Sequence, residues 1–386
     1  MTVSNDPLVA SICDIVQQNC TISDAKYAQH YSLCVYLLRM RDFYQWRFNV
    51  PLHESLNPKL VGTWIGETES QWSDMEKCDF RPISIKSEQF DPFDTQSINR
   101  YLNEFGLVYS AGIGRLGQPH FLIAQLNHAT RHTNQYSINT NCFDCGAELA
   151  RDSINMPAMA QGNDIYIRRD SIKRLLWQMI NEWRLQKTTG PVQRLMDHYN
   201  WQADQKDDAS TESIVDDLSE VVLNHELGEV SAGQILGTAY GDMVNAYVGK
   251  PSELLLRSVR DIVADTLCTL PAIRQSQSGH QLDFWLANVK GIREKWLTDT
   301  GLLLALKDAY ISANLNVIAK PNVSANADAN YAELFDLLGP LCQSEKMRWT
   351  NVSKTLVERF QFQGTSMDVS SIIDQALLDY SVDSAS

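Results

Sequence analysis

Residues 164–186 read DIYIRRDSIKRLLWQMINEWRLQ, and two kinds of structure meet in this stretch. Its first five residues form a short, mostly apolar run that is typical of a strand. From position 169 onward, apolar residues recur three and four positions apart, which predicts an amphipathic helix over 169–186. The stretch therefore predicts a strand running directly into a helix. The sequence before it has both strand and helix patterns, whereas the sequence after it has mainly helix patterns.

The preceding sequence mixes strand and helix patterns. Residues 80–90 suggest a strand, 94–106 a short helix stopped by Gly106, and 107–126 two strands around a glycine-rich turn. Residues 26–48 contain no Gly or Pro and carry apolar residues around most of a helix, which predicts one helix buried on more than one side. The N-terminal part is therefore predicted to be mixed α+β with a small antiparallel sheet.

The following sequence is helical in character. Residues 202–213, QADQKDDASTES, hold no large apolar residue and are predicted to be a linker, with the domain boundary between residues 205 and 206. The predicted fold class is thus α+β, with an α+β domain over 1–205 and an all-α domain over 206–386. The helical domain is expected to have its core in 212–315 and additional helices in 325–386. Its predicted helices cover 212–228, 231–247, 251–269, 279–297 and 301–313, and a further spacer is expected at 320–330.

Composition excludes several classes of function. The chain has 386 residues, 44% of them apolar, and a formal net charge of −14 without a basic cluster. Nucleic acids and anionic membrane surfaces are poor partners for such a chain, because binding to them begins with attraction to phosphate. No basic segment precedes an apolar one at the start, so we expect a cytoplasmic protein whose eight cysteines are thiols, metal ligands or core residues.

Histidine and cysteine are closely spaced at the end of the predicted sheet. The pattern is His128-x3-His132-x9-Cys142-x2-Cys145, which supplies two nitrogen and two sulfur ligands at spacings suited to tetrahedral zinc. A structural zinc is one reading of this pattern, and a solvated loop with two ordinary thiols is the other. The nearby glycines 112, 114 and 117 match GxGxxG but precede a strand, so they indicate a hairpin turn.

The helical part contains HELGE at 225–229, which differs from the zinc-protease motif HExxH at its fifth position. Because Glu229 cannot supply the second imidazole, the protease reading fails. His225 and Glu229 lie four residues apart on the apolar side of the predicted helix. A buried carboxylate needs a neutralising partner, so we expect Glu229 to meet a metal, an arginine or another cation.

Asp261 and Asp265 form a second pair of acidic residues at helical spacing. Two aspartates four apart repel each other, and a shared cation would reverse that repulsion. Facing helices that offer imidazole and carboxylate groups at such positions build metal sites in helical bundles. The alternative is a network of ion pairs, in which Arg257 or Arg260 neutralises Asp261 and an arginine meets Glu229.

Several stretches together resemble a family of uncharacterised bacterial proteins of unknown function. They are HYSLCVYLLRMRDFYQW, GAELARDSINMPAMAQGNDIYIRRD, NHELGE and LLRSVRDIVADTLCTLP. The resemblance covers much of residues 25–315 and implies an α+β N-terminal part followed by a helical part in a bacterial cytoplasmic protein. It brings no activity or cofactor with it, and the last 60 residues lie outside it.

Two functions from different classes follow from these patterns. The first is a divalent transition-metal centre held by His225, Glu229, Asp261 and Asp265 that acts on a small molecule, with Glu226 as its acid or base. The second is a non-catalytic interaction protein, able to form a homo-oligomer or bind another protein, in which the same residues are structural. No GxSxG motif supports a serine nucleophile, and isolated histidines such as His120 are expected to be core or surface residues.

Overall fold

A computed structural model describes residues 6–133, 139–186, 190–201, 211–318 and 331–383. Most of the predicted linker and the whole of the spacer expected at 320–330 lie outside the described residues. The described residues divide into two compact units. One unit contains residues 6–133, 139–181 and 211–219, and the other contains 182–186, 190–201, 220–318 and 331–383.

The first unit begins with helices and continues into sheets. Its elements, in chain order, are α1 (Pro7–Tyr27), α2 (Leu33–Arg47), α3 (Pro58–Met75), β1 (Ile83–Ile85), β2 (Glu88–Phe90), α4 (Thr95–Leu102), β3 (Leu107–Ile113), β4 (Pro119–Thr133), β5 (Asn139–Arg151), β6 (Ala158–Gln161), β7 (Asp164–Arg168) and α5 (Arg169–Gln186). The strand that runs directly into a helix, predicted from residues 164–186, is confirmed as β7 and α5.

The larger sheet has the order β3-β4-β5-β7-β6. Three of its neighbouring pairs are antiparallel, but β5 and β7 are parallel, so the sheet is mixed and not purely antiparallel as expected. One core of this unit joins α1 to the sheet through buried residues such as Val16, Tyr109 and Phe121. The glycine-rich segment after Ile113 joins β3 to β4, which confirms the hairpin reading.

The helix predicted over 26–48 is wrong in two respects. A break at residues 28–32 separates α1 from α2. Seven of the fifteen side chains of α2 are exposed, including Leu33 at 69% and Leu38 at 58%, and only Met40, Phe43 and Gln45 are buried. An apolar sequence without a clear periodicity does not determine which of its faces is covered.

The second unit is largely helical in its described residues. Its elements are the end of α5, then α6 (Pro191–His198), most of α7 (Thr211–Ala246), α8 (Pro251–Ala264), a π-helical turn (Asp265–Thr269), α9 (Leu270–Ser276), α10 (Gly279–Asn288), α11 (Ile292–Asp299), α12 (Leu302–Ile318), α13 (Ala332–Gln363) and α14 (Val369–Asp383). The predicted fold class, α+β followed by helices, is therefore confirmed. No described helix has the length and apolarity needed to cross a membrane.

Candidate metal centre

His225 and Glu229 lie one turn apart on α7. The His225 Nε2 and Glu229 Oε1 atoms are 3.7 Å apart, and the two side chains are 25% and 19% exposed. Both therefore lie at the edge of the packed interior, where solvent or a small ligand can still reach them. The sequence placed them on the inner side of the helix, and the structure agrees with that placement.

Asp261 and Asp265 approach from α8 and from the first residue of the π turn. Asp265 Oδ1 lies 2.8 Å from His225 Nδ1 and also accepts a hydrogen bond from Thr269 Oγ1 at 3.0 Å. Ligand atoms of His225, Glu229 and Asp261 all lie within 4.8 Å of one another. Asp265 therefore occupies one imidazole nitrogen, and the other nitrogen lies 3.7 Å from Glu229.

The close approach of α7 to α8 depends on Gly228, the fourth letter of HELGE. A Cβ atom at this position would lie 2.4 Å from the carbonyl oxygen of Ala264 and 2.9 Å from its carbon. Because these are backbone atoms, they cannot move aside as the end of a flexible side chain can. The glycine is thus required for the contact that brings the two pairs of site residues together.

The π turn interrupts the regular hydrogen bonding of the helix that holds the aspartates. The Leu270 N–H donates to the carbonyl of Asp265, five residues earlier, and Pro271 follows without an N–H of its own. Single π turns inside helices occur often at functional sites, because they shift side chains out of regular α-helical register. Here the turn begins at Asp265, the residue that contacts His225.

Two arginines neutralise part of the acidic charge. Arg260 Nη2 lies 2.7 Å from Glu229 Oε2. Arg293 of α11 lies 3.7 Å from Asp261 and 3.6 Å from Asp265 through its Nη1 atom. The sequence offered Arg260 as a partner of Asp261 and only an unnamed arginine for Glu229, and Arg293 was missed because it is on another helix and about thirty residues away. Arg257, which the sequence offered as a partner of Asp261, pairs with Glu253 at 2.7 Å.

The charges at the site shift its pKa values in opposite directions. Burial lowers the pKa of His225, but the Asp265 carboxylate and its hydrogen bond outweigh burial and raise that pKa to about 10. Burial raises the pKa of Asp261, with Glu229 adding to the rise. For Glu229, burial is opposed by Arg260 and His225, and the net effect lowers its pKa. Without a metal, His225 is therefore an imidazolium at neutral pH.

Glu226, the candidate acid or base, is half-buried beside this cluster. Burial, followed by the charge of Glu229, raises the pKa of its carboxyl group to about 8. A carboxyl group with such a pKa can hold or release a proton near neutral pH, which is the property that acid or base catalysis needs.

The alternative zinc ligands lie on β4 and β5. The His128 Nδ1 atom is 3.4 Å from Asp144, and the His128 side chain is 62% exposed. His132 contacts Thr130, whereas Cys142 and Cys145 are both buried. Within the part of the chain that the structure describes, these four side chains do not form a cluster of three or more closely spaced ligand atoms, whereas His225, Glu229 and Asp261 do.

The first unit contains a buried ionic network that the sequence patterns did not predict. Glu148 accepts two hydrogen bonds from Arg168, at 2.8 and 3.0 Å, and contacts Arg151 at 3.1 Å. His120, expected to be an isolated histidine, is buried with its Nδ1 atom 3.0 Å from Asp152. Arg168 is 20 positions from Glu148 and His120 is 32 positions from Asp152, so their spacing in the sequence does not mark these two pairs.

A cleft of about 700 Å³ opens between the π turn, α9 and α13. It is lined by Thr266, Arg274, Cys342 and Lys346 among others, but by none of the four predicted metal ligands. This cleft therefore does not coincide with the cluster of titratable groups.

Comparison with known proteins places these features in a family. Residues 11–168 match the N-terminal domain of a family of unknown function, DUF6866, and residues 173–330 match its C-terminal domain. The chain belongs to the DUF6866 family. The resemblance to a family of unknown function with two such parts is therefore confirmed, and the HELGE segment falls in the C-terminal DUF6866 domain. No curated protein and no solved structure matches the chain.

Proposed function

We propose that the C-terminal DUF6866 domain binds one divalent transition-metal ion and uses it on a small molecule. The observation that supports this is the convergence of ligand atoms from His225, Glu229 and Asp261 within 4.8 Å. One imidazole and two carboxylates are a common donor set for such metals, and three protein ligands leave coordination positions for water or substrate.

Asp265 has a supporting part in this proposal. Metal-bound histidines usually donate their second N–H to a carboxylate, which fixes the tautomer and the ring orientation. The 2.8 Å contact between His225 Nδ1 and Asp265 Oδ1 has this geometry, so Nε2 would be the ligating atom. Asp265, predicted as a ligand from the sequence, is thus better suited to hold the imidazole than to bind the ion directly.

The proposed centre would combine two components that can act on a substrate, a bound cation and the carboxyl group of Glu226. A bound cation would polarise a substrate or lower the pKa of a water molecule, and Glu226 would give or take the proton. This proposal includes a small-molecule substrate, an acid or base role for Glu226 and a cytoplasmic location, all of which come from the sequence.

An interaction protein is the second candidate, and two observations favour it. The 2.7 Å pair of Arg260 with Glu229 is the contact expected of a structural network. The exposed apolar side chains of α2, such as Leu33 and Leu38, would suit a protein partner or a second copy of the chain.

Metal analysis of protein purified without an affinity tag separates the two candidates. The metal centre predicts about one transition-metal ion per chain, its loss in His225→Ala and its retention in the matched variant His128→Ala. A metal that survives His225→Ala but disappears in His128→Ala would move the site to the alternative zinc ligands. No metal in any of the three proteins would favour the interaction protein.

A further inference from the structure

We infer that the metal centre takes an oxyanion, either a phosphate or a carboxylate group, and that Arg260 and Arg293 recognise it. This inference rests on the proposed function and adds the class of substrate to it. Arg260 and Arg293 lie beside the proposed ligands and come from α8 and α11.

The positive charges of Arg260 and Arg293 face the negative charges of the site carboxylates. Arg260 faces Glu229, and Arg293 faces Asp261 and Asp265. A divalent cation held by Glu229 and Asp261 would cancel the charge of these two carboxylates. The guanidinium groups would then have less negative charge to bind within the protein, and they could attract an anion from solution.

Arg260 and Arg293 have hydrogen-bonding capacity left for a ligand and are partly exposed. Arg260 Nε is a buried donor that makes no hydrogen bond within the described part of the chain. Arg293 contacts its two aspartates only at 3.6 and 3.7 Å, distances longer than a good hydrogen bond. Arg260 is 28% exposed and Arg293 18%, so both remain within reach of a ligand that enters from solvent.

The geometry of the arginine side chains also suits an oxyanion. A guanidinium group presents parallel N–H donors that match two oxygens of a phosphate or a carboxylate. An oxyanion placed on an open coordination position of the metal would have its other oxygens free for these donors. Metal and arginine together are a recurring arrangement for binding groups of this kind.

The test uses the full-length protein loaded with Co²⁺, whose visible absorption reports on the ligands of the ion. Inorganic phosphate and, in a separate titration, acetate are added against a background of chloride at constant ionic strength. We expect a saturable change of the cobalt spectrum with phosphate, acetate or both, and the two titrations distinguish the sources of the oxyanion.

The variants identify the arginine. Arg293→Met should bind the anion about ten- to a hundredfold more weakly, the amount that one charge-assisted hydrogen bond contributes. Arg293→Lys keeps the positive charge but loses the parallel N–H donors of the guanidinium group. It should weaken anion binding less than Arg293→Met does, and it is informative if the methionine variant fails to fold. Lys290→Met removes an exposed cation three positions away and should leave anion binding unchanged.

Two results overturn the inference in different ways. Cobalt that binds and is lost in His225→Ala, but whose spectrum responds to neither anion, leaves the metal centre standing and contradicts the oxyanion. The same holds if anion binding in Arg293→Met and Arg293→Lys equals that of the unmodified protein. Cobalt that does not bind, or that binds equally in His225→Ala, contradicts the proposed function and this inference with it.

Discussion

The carboxylate of Glu229 could be predicted from the sequence to need a neutralising partner. A carboxylate on the inner side of a helix had to be neutralised, and the structure supplies Arg260 at 2.7 Å. The need for a partner followed from the sequence, but its nature did not, because a metal, an arginine and another cation satisfy it equally well.

The stability contribution of Glu229 can be measured without knowing any ligand. Glu229→Gln should lower the free energy of unfolding of the metal-free protein by about 1–3 kcal/mol, less than for a fully buried pair because the side chain is 19% exposed. The matched variant is Glu182→Gln, whose carboxylate pairs with Lys290 at an exposed position and should cost less than about 0.5 kcal/mol. Equal losses for the two variants in urea titrations at neutral pH would contradict the assigned role of Glu229.

His225 predicts a dependence of stability on pH. Its pKa is about 10 in the folded, metal-free protein, against about 6.5 when the chain is unfolded. The stabilisation from the His225 and Asp265 pair is therefore full below about pH 6.5 and is lost as pH rises through about 10. The difference in unfolding free energy between the unmodified protein and His225→Gln should shrink steadily over that window, and a difference that grows with pH would contradict the imidazolium.

The same proton competes with a metal ion. Ligation through Nε2 requires a neutral imidazole, so binding of Co²⁺ or Zn²⁺ should release a proton, and apparent affinity should rise by about tenfold per pH unit below the pKa of His225. Calorimetry in buffers of different ionisation enthalpy measures the proton release directly.

Elements were predictable where periodicity and turn residues agreed. The hairpin of β3 and β4 and the transition from β7 to α5 carry clear local signals, and both formed as expected. Other boundaries depended on contacts that are distant in the sequence. The helices predicted over 212–228 and 231–247 are one helix with a kink at Gly237, and the helix predicted over 279–297 is divided at residues 289–291 into α10 and α11.

The close contact between α7 and α8 can be tested by substituting Gly228. An added Cβ would meet the Ala264 carbonyl, so Gly228→Ala should separate α7 from α8 and cost about 1–3 kcal/mol despite the better helix propensity of alanine. Gly233, on the same helix, has no atom within 4 Å of its added Cβ, so Gly233→Ala should be neutral or stabilise by up to about 1 kcal/mol. If Gly228→Ala is as stable as Gly233→Ala in urea titrations, the close helix contact is incorrect.

The whole molecule combines two family domains, and the ionic clusters described in its two units differ in exposure. Glu148 and Arg168 in the first unit are both almost inaccessible, whereas His225 and Glu229 in the second unit remain partly exposed. Buried pairs of the first kind suit a structural role, and accessible clusters of the second kind suit binding. The sequence identified the cluster because its members pair at i, i+4 on two helices, and it missed the network because no such spacing marks it.

The predicted domain boundary between residues 205 and 206 stays a prediction, since the residues around it lie outside the described ranges. The family domains meet between residues 168 and 173, and α13 and α14 follow the end of the second family domain at residue 330. The predicted oligomeric state and protein partner likewise stay predictions.

X-ray absorption spectroscopy of the zinc-loaded, full-length protein tests the central claim most directly. A site at His225, Glu229 and Asp261 predicts only nitrogen and oxygen ligands at about 2.0–2.2 Å, with the outer-shell scattering of a single imidazole. Sulfur ligands at about 2.3 Å, which the alternative site with Cys142 and Cys145 would supply, would contradict the metal centre proposed for the helical domain.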